Sequence, residues 1–309
     1  MPLNRRALLA GSAVLLAGCA PSPVISGAPA LPASPPAPQQ SAEASAAQAA
    51  LQGMEAILTR LDGAPYWAEQ QWAVAARAQC EVQLARVSAP DPLSDEEQTL
   101  FEVAGPAEIA FSDAAAAAAA LTQSGADAVA ALETAAAAAD AGALRLLYAS
   151  AAAATVALTN TTLVPLAMDA PPRPLPTSPE EGALAVALSH AWALIYGLGV
   201  GLGRLGAKDE LHSYGTARLS AAKRLRNELR DRLGAAAPAQ PAAFDLPNQM
   251  TTTDTIRQAW AVLETRLLEG YARVVDASPE PGWRTRLNDQ VAPIQAMGGQ
   301  LGPWPGWVP

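Results

Sequence analysis

Residues 178–206, SPEEGALAVALSHAWALIYGLGVGLGRLG, decide the fold. Ser178 is followed by Pro179 and, three residues on, by Glu181, a pattern typical of a helix start. Beyond it, apolar residues recur at alternating steps of four and three: Leu184, Leu188, Ala191, Ile195, Leu198, Leu202 and Leu205. This spacing predicts a helix that runs to about residue 205 and packs against its neighbours along one seam.

The glycines at the end of this stretch raise the question of a bound nucleotide. Residues 201–206 fit G-x-G-x-x-G, the fingerprint of dinucleotide-binding folds. That fingerprint requires a strand before its first glycine and a helix after its last. Here the glycines end a helix, so the sequence predicts no nucleotide site. Gly197 with Gly201 and Gly199 with Gly203 instead form small-residue pairs that let another helix approach closely.

The same helix has the length of a membrane span. Residues 182–203 contain no Asp, Glu, Lys or Arg, and this uncharged stretch of 22 residues is long enough to cross a bilayer. Five glycines, Ser189 and His190 make membrane insertion unfavourable, and the helix opens with two glutamates. A buried central helix is therefore the favoured interpretation. We expect one of its faces to pack in its own bundle and the other against the first half of the chain.

The N-terminal residues read as an export signal with a lipidation site. Arg5 and Arg6 precede an apolar run of about eleven residues, too short to span a membrane. Residues 16–19, LAGC, match the lipobox of bacterial lipoproteins, which predicts cleavage before Cys19 and its lipidation. The arginine pair favours twin-arginine export, and Sec export stays open. Cys80 is then left without an intramolecular partner and is expected to be a buried apolar residue.

Composition divides the chain into segments. Residues 1–18 are the predicted signal peptide, and residues 19–40 a proline-rich tether. Residues 41–167 are predicted to form an alanine-rich acidic helical domain, residues 168–177 a proline-rich linker, and residues 178–309 a helical bundle. Residues 41–168 carry 15 acidic against 4 basic side chains, and residues 169–309 carry 14 of each. The acidic first half argues against nucleic acid as a partner.

The first half predicts several helices. Apolar spacing predicts helices over residues 42–62 and 66–87. Ser94 and Glu97 form a capping-box pattern that predicts a third helix start. Alanine tracts at residues 114–120, 135–139 and 151–154 predict helices with small packing faces, broken at Ser124-Gly125 and at Gly142.

The second half predicts four helices with one long connection. After the opening helix, the sequence predicts helices over residues 208–233 and 253–277, and a last one from residues 278–281 to Gly298-Gly299. About eighteen residues, including PAAFDLP at residues 241–247, separate the second helix from the third. One long crossover between two helical hairpins is how ferritin-like bundles are connected. The predicted fold class is all-α, a ferritin-like four-helix bundle preceded by an alanine-rich helical domain.

A family resemblance covers residues 178–306. Its motifs are ordered along the chain: His190-Ala191 and Tyr196-Gly197 in the first helix, a basic second helix, Phe244-Asp-Leu-Pro247 in the crossover, Leu263-Glu264 in the third helix, and a closing Trp304-Pro-Gly306. In these motifs the chain resembles the exported bacterial ferritin-like domain family of unknown function. The domain would here form the second half of the predicted lipoprotein. The resemblance implies a four-helix bundle. Family members place a glutamate before the histidine, whereas this chain has Ser189.

Metal binding is the function that this resemblance raises first. Ferritin-like di-iron sites need two Glu-x-x-His motifs and two further glutamates. The chain has only His190 and His212, and neither lies in such a motif. If the third helix runs parallel to the second, Glu264 is expected level with His190, and a structural interaction of His190 with either Glu264 or a backbone carbonyl is predicted. These two residues are the weak metal candidates. No metal and no cofactor are expected, with iron as the alternative.

Two further features leave alternatives open. The second helix carries six basic residues that form either a solvated face or a docking surface for the acidic first half: Arg218, Lys223, Arg224, Arg226, Arg230 and Arg232. The closing segment PWPGWVP is expected to lay Trp304 and Trp307 over the bundle, and recognition of a partner is the alternative.

The sequence therefore predicts a lipid-anchored protein on the extracytoplasmic face of the cell membrane. A non-catalytic binding or envelope scaffold role is the leading interpretation, with an unidentified protein partner. The alternatives are a ferritin-like iron-binding protein or oxidase, and binding of a small apolar ligand between helical layers. No catalytic residue is predicted.

Overall fold

The computed structural model describes residues 39–105, 111–167, 175–176 and 178–307, and within them the chain is helical with no strand. The predicted all-helical class is thereby confirmed. The signal peptide with Arg5, Arg6 and Cys19, nearly all of the tether, and most of the linker lie outside the described residues. The α-helices are α1 (Ala42–Leu61), α2 (Gln70–Val87), α3 (Ala114–Ala138), α4 (Gly142–Leu158), α5 (Glu180–Leu202), α6 (Glu210–Leu233), α7 (Thr253–Ala277), α8 (Pro281–Asp289) and α9 (Val291–Ala296).

The first half consists of two helical hairpins, α1–α2 and α3–α4, with α1 packed against α3. Helix α1 has nearly the predicted bounds. Helix α2 begins four residues later than residue 66, because the Gln70 side chain holds the preceding turn. Its Nε2 donates to the carbonyls of Leu61, Ala64 and Trp67, and its Oε1 accepts from the Gly63 N–H.

The helix predicted from Ser94 is absent from residues 88–105, so the capping-box prediction is wrong. Ser94 Oγ accepts from the N–H of Glu96, two residues on, and Asp91 Oδ1 does the same for Leu93. These are local side-chain turns, which compete with helix nucleation for the same polar groups. The segment is fixed instead by the Phe101 N–H, which donates to the Ser88 carbonyl.

The break predicted at Ser124-Gly125 is also wrong, because α3 runs through it without interruption. A glycine inside a helix costs about 1 kcal/mol relative to alanine, which the long alanine tracts on both sides outweigh. Gly125 is buried, and the nearest atom that a Cβ there would meet is Thr159 Cγ2, 3.9 Å away. The chain turns at residues 139–141, and α4 begins at Gly142. The helix break predicted at Gly142 is therefore confirmed.

The second half has the predicted connection of two hairpins by one long crossover. Thr253 Oγ1 donates to Asp209 Oδ2, so α6 and α7 begin side by side and run parallel. The irregular residues 237–252 therefore return along the length of the bundle to join the end of α6 to the start of α7. Gly234, at a φ of 53°, ends α6 where predicted.

Two helix ends in this half differ from the prediction. Pro179 is the N-cap of α5, and Ser178 makes no capping hydrogen bond. Helix α5 ends at Leu202, since Gly203 to Asp209 form turns. The single last helix is divided into α8 and α9 at Gln290, because Pro293 has no N–H to donate to the carbonyl four residues before it.

Helix α4 joins the two halves, since it packs against α7, α8 and α9. The Arg145 guanidinium donates to the carbonyls of Val275 and Asp276 at the end of α7. Arg284 on α8 forms an ion pair with Glu133 on α3 at 3.0 Å. The described residues from Gln39 to Trp307 form one compact unit with a single hydrophobic core. The domain boundary at the proline-rich linker stays a prediction.

The prediction that one face of α5 packs against the first half of the chain is wrong. Helix α5 packs against α6 and α7, and its outer face lies under the crossover, where the rings of Tyr196 and Phe244 are 5.8 Å apart. Among the described residues, α5 alone is long and apolar enough to cross a bilayer, and half of its most apolar window is buried within the protein. The Gly197–Gly201 pair serves packing as predicted, since Gly197 faces Leu263 and Gly201 faces Trp260. The same prediction for Gly199 and Gly203 is wrong, because a Cβ at either position would meet no other described helix within 4 Å.

The closing segment lies between the halves, which confirms that Trp304 and Trp307 cover the bundle. Residues 301–307 are buried throughout. Gln83 Nε2 on α2 donates to the Pro303 carbonyl at 2.9 Å, and Ser150 Oγ on α4 donates to the Pro305 carbonyl at 2.7 Å.

Candidate functional site

The most heavily buried charge among the described residues is Glu264, in the middle of α7. Its side chain is fully buried. Oε1 accepts from Arg218 Nε at 2.7 Å, and Oε2 accepts from Arg218 Nη2 and from Gln290 Nε2, each at 2.6 Å. Gln290 Oε1 in turn accepts from Arg218 Nη2 at 3.0 Å. Arg218, Glu264 and Gln290 form a closed hydrogen-bonded group, here called the Glu264 cluster.

The fold brings this cluster together from three helices. Arg218 and Glu264 meet because α6 and α7 run parallel from adjacent starts, and each residue lies two to three turns into its helix. Gln290 is available because the α8–α9 break leaves it at a helix junction. Its Nε2 also donates to the Glu264 main-chain carbonyl at 3.1 Å, which ties the junction to α7.

The surroundings of Arg218 favour the charged form of its guanidinium. Burial acts to lower the pKa of Arg218, but the hydrogen bonds and charge of Glu264 outweigh it and raise that pKa. Burial raises the pKa of the neighbouring Tyr214 and of Tyr271 to about 12 each. Both phenols therefore stay protonated at neutral pH, and the Tyr214 hydroxyl donates to the Pro293 carbonyl at 3.3 Å.

The side chains of the cluster do not fit a di-iron centre. Such a centre needs carboxylates and imidazoles converging at one height, whereas Glu264 is surrounded by a guanidinium and an amide. A guanidinium carries only donors and cannot ligate a cation. In the part of the chain that the structure describes, no group of three or more His, Cys, Asp or Glu side chains is placed to hold a metal ion.

His190 does not lie level with Glu264 and does not pair with it, so that part of the prediction is wrong. A Cβ at Gly270 would lie 3.1 Å from His190 Cδ2, which places His190 level with residue 270 of α7. Glu264 is six residues away, about 9 Å along the helix. Burial, with the charges of Arg266 and Arg273, lowers the pKa of His190 from 6.5 to about 4. The imidazole is therefore neutral at physiological pH.

The other candidates have simple placements. Cys80 is fully buried, its Sγ donates to the Leu51 carbonyl at 3.5 Å, and burial raises the pKa of its thiol. It is the buried apolar residue that the sequence predicted. The basic run of α6 is not a docking surface for the first half, since α6 packs on α5. Arg232 pairs with Glu280 at 2.6 Å, and Lys223, Arg224 and Arg230 are exposed.

The sequence carries a signal for the Glu264 cluster at Arg218, one of the six basic residues of α6. This residue interrupts the buried seam of α6, whose members step by four and three: Leu211, Gly215, Arg218, Ala222, Leu225 and Leu229. A charge on such a seam is expected to find a buried partner, because an unpaired charge in the core is costly.

No protein-family model matches this chain, and comparisons with curated proteins and with solved structures likewise found no match.

Proposed function

We propose that the protein is a lipid-anchored, extracytoplasmic, non-catalytic binding or envelope scaffold protein, whose second half is a ferritin-like bundle with a buried salt bridge at the place where metal-binding proteins of that fold hold metal. The observation that carries the proposal is the Glu264 cluster. Arg218 supplies, inside the bundle, the positive charge that a metal ion would otherwise supply to the buried carboxylate.

The order in which the helices of the second half are connected supports the ferritin-like part of the proposal. Two hairpins joined by a crossover that runs the length of the bundle are characteristic of ferritin-like folds. The ordered motifs from His190 to Gly306 point the same way. The scaffold role is supported by the large side chains that fill the interior, since Trp72, Trp260 and Trp283 are all nearly or fully buried.

The cellular location rests on the N-terminal sequence. The Arg5-Arg6 pair, the apolar run and the LAGC motif ending in Cys19 support export and lipidation. The membrane is then the first partner, reached through the lipid, and a protein partner in the envelope is the second. Changing Cys19→Ala should release the protein from the membrane fraction, whereas Cys80→Ala should leave it there. Retention of the Cys19→Ala protein would contradict lipid anchoring.

The competing function is that of an iron-binding protein or oxidase. Its test is metal analysis of the purified protein after chelator treatment and after reloading with ferrous iron. The proposal predicts well under one iron per chain in either state. About two irons per chain, lost in Glu264→Gln and kept in Glu269→Gln on the same helix, would overturn it.

A further inference from the structure

The first half contains a partly enclosed cavity of about 180 Å³ at some distance in the fold from the Glu264 cluster. Four stretches of chain line it: Met54 of α1, Trp67 of the following turn, residues 118–125 of α3, and the end of α4 with Thr161. A core cavity of about 150 Å³ is known to stay dry and to take up benzene. The space is therefore sufficient for one six-membered ring with a small substituent.

The wall of the cavity is mostly apolar, and its buried polar group is the indole N–H of Trp67, which has no hydrogen-bond partner within the part of the protein that the structure describes. Met54, Trp67, Leu121 and Leu158 are each less than 8% exposed, and none of the described residues that line the space is Asp, Glu, Lys or Arg. A charged ligand would lose its hydration without gaining an ion pair, which disfavours it. A methionine thioether and an indole ring both make favourable contacts with aromatic rings. The wall thus favours an uncharged ring.

Two of the three threonines that line the cavity, Thr122 and Thr159, can only accept a further hydrogen bond. Thr122 Oγ1 donates to the Ala118 carbonyl, and Thr159 Oγ1 donates to the Val156 carbonyl, each at 2.8 Å. Their protons are therefore used, and each oxygen can only accept a further hydrogen bond. Thr159 also caps the C-terminal end of α4, where the helix dipole is negative and favours a donor.

We propose that this cavity binds one small, uncharged, ring-containing molecule whose single hydroxyl or N–H donates to the threonine oxygens at its mouth. Phenols are the chemical class that fits the volume, the apolar wall and the acceptor mouth together. Gly125 keeps the space open, since it adds no side chain on the α3 side. A failure to observe such binding would not count against the function proposed for the second half, because the cavity lies among α1, α3 and α4.

Calorimetric titration of the full chain with phenol, benzene and benzoate tests the proposal. Phenol should bind with a Kd below about 1 mM, benzene about tenfold more weakly, and benzoate not measurably. Thr122→Val combined with Thr159→Val should abolish the advantage of phenol over benzene. Absence of phenol binding to the unchanged chain, or benzoate binding as tight as phenol binding, would overturn the proposal.

A matched pair of variants locates the binding. Ala118 lies at the mouth and is exposed, so Ala118→Leu should fill the cavity without disturbing the core and weaken phenol binding at least tenfold. Ala119→Leu adds the same side chain at the adjacent exposed position, which does not line the cavity, and should bind as before. In the unchanged chain, phenol should shift the NMR signal of the Met54 methyl group. Equal binding by both variants, or no shift at Met54, would contradict the assignment.

Discussion

At the scale of single residues, the Glu264 cluster determines how the second half tolerates change. Removing one partner of a buried ion pair leaves an uncompensated charge, which costs about 3–5 kcal/mol, whereas replacing both by apolar residues is often neutral. Arg218→Met alone should therefore lower the free energy of unfolding by about 3 kcal/mol or more. The double variant Arg218→Met with Glu264→Leu should recover most of that loss.

Denaturant unfolding of the single and double variants measures this prediction. Arg224→Met, an exposed cation on the same helix, is the matched control and should change stability by less than about 0.5 kcal/mol. A double variant as unstable as the sum of its two single variants would show that the two side chains do not interact.

His190 should make the protein less stable in mild acid. Its pKa is about 4 in the folded protein and near 6.5 when the chain is unfolded, so the unfolded state binds more protons between these values. The contribution of the neutral imidazole is thus fully present above pH 6.5 and is lost as the pH falls towards 4, by at most about 3 kcal/mol. His190→Gln should flatten this part of the stability profile relative to the unchanged protein. Parallel profiles for the two proteins would contradict the assignment.

At the scale of helices, the glycines of α5 divide into packed and open positions. A Cβ at Gly201 would lie 2.7 Å from Trp260 Cζ2, whereas a Cβ at Gly199 would meet nothing within 4 Å. Gly201→Ala should therefore destabilise the protein by about 1–3 kcal/mol through overpacking. Gly199→Ala should stabilise it by about 0.5–1 kcal/mol, because alanine favours the helix. Urea unfolding of the two variants should give shifts of opposite sign.

Helix bounds could be predicted where one residue dictates the backbone. Thr252 caps α7 at the predicted start, and Gly234 takes the positive φ that ends α6. Ser94 shows the limit, because its hydroxyl serves a turn as readily as a cap, and only its neighbours decide between the two. Gly125 shows another limit, since a break depends on the summed propensity of the alanines around it.

The candidate site was harder to predict than the helices. Which residues face inwards follows from spacing, but which residues share a level depends on where each helix ends. Helix α5 ends at Leu202 instead of about residue 205, and seven turn residues precede α6. The parallel direction of α6 and α7 alone therefore does not fix the level of Glu264, and the expected neighbour, His190, lies near residue 270 instead. The cavity could not be predicted either, since it depends on how α1, α3 and α4 pack.

At the scale of the whole molecule, the closing segment and α4 should make the two halves unfold together. Trp304 is 4% exposed, and the segment that holds it is bonded to both α2 and α4. Trp304→Ala should cost about 3–5 kcal/mol. Hydrogen exchange monitored in α1 and in α7 should show that both helices lose protection in one transition, at a lower denaturant concentration. A variant that destabilises only one half would contradict this coupling.

The buried closing segment also has a consequence during biosynthesis. Helix α4 is buried along nearly all of its length, yet residues 303–306, which cover Ser150, are synthesised roughly 150 residues after it. At bacterial and eukaryotic translation rates, that interval is on the order of 10–30 s. For that time α3 can already pack against α4, but the side of α4 that meets α7, α8, α9 and the closing segment has no native cover. We therefore expect the unfinished chain to depend on a chaperone that holds it until residues 303–306 have been synthesised.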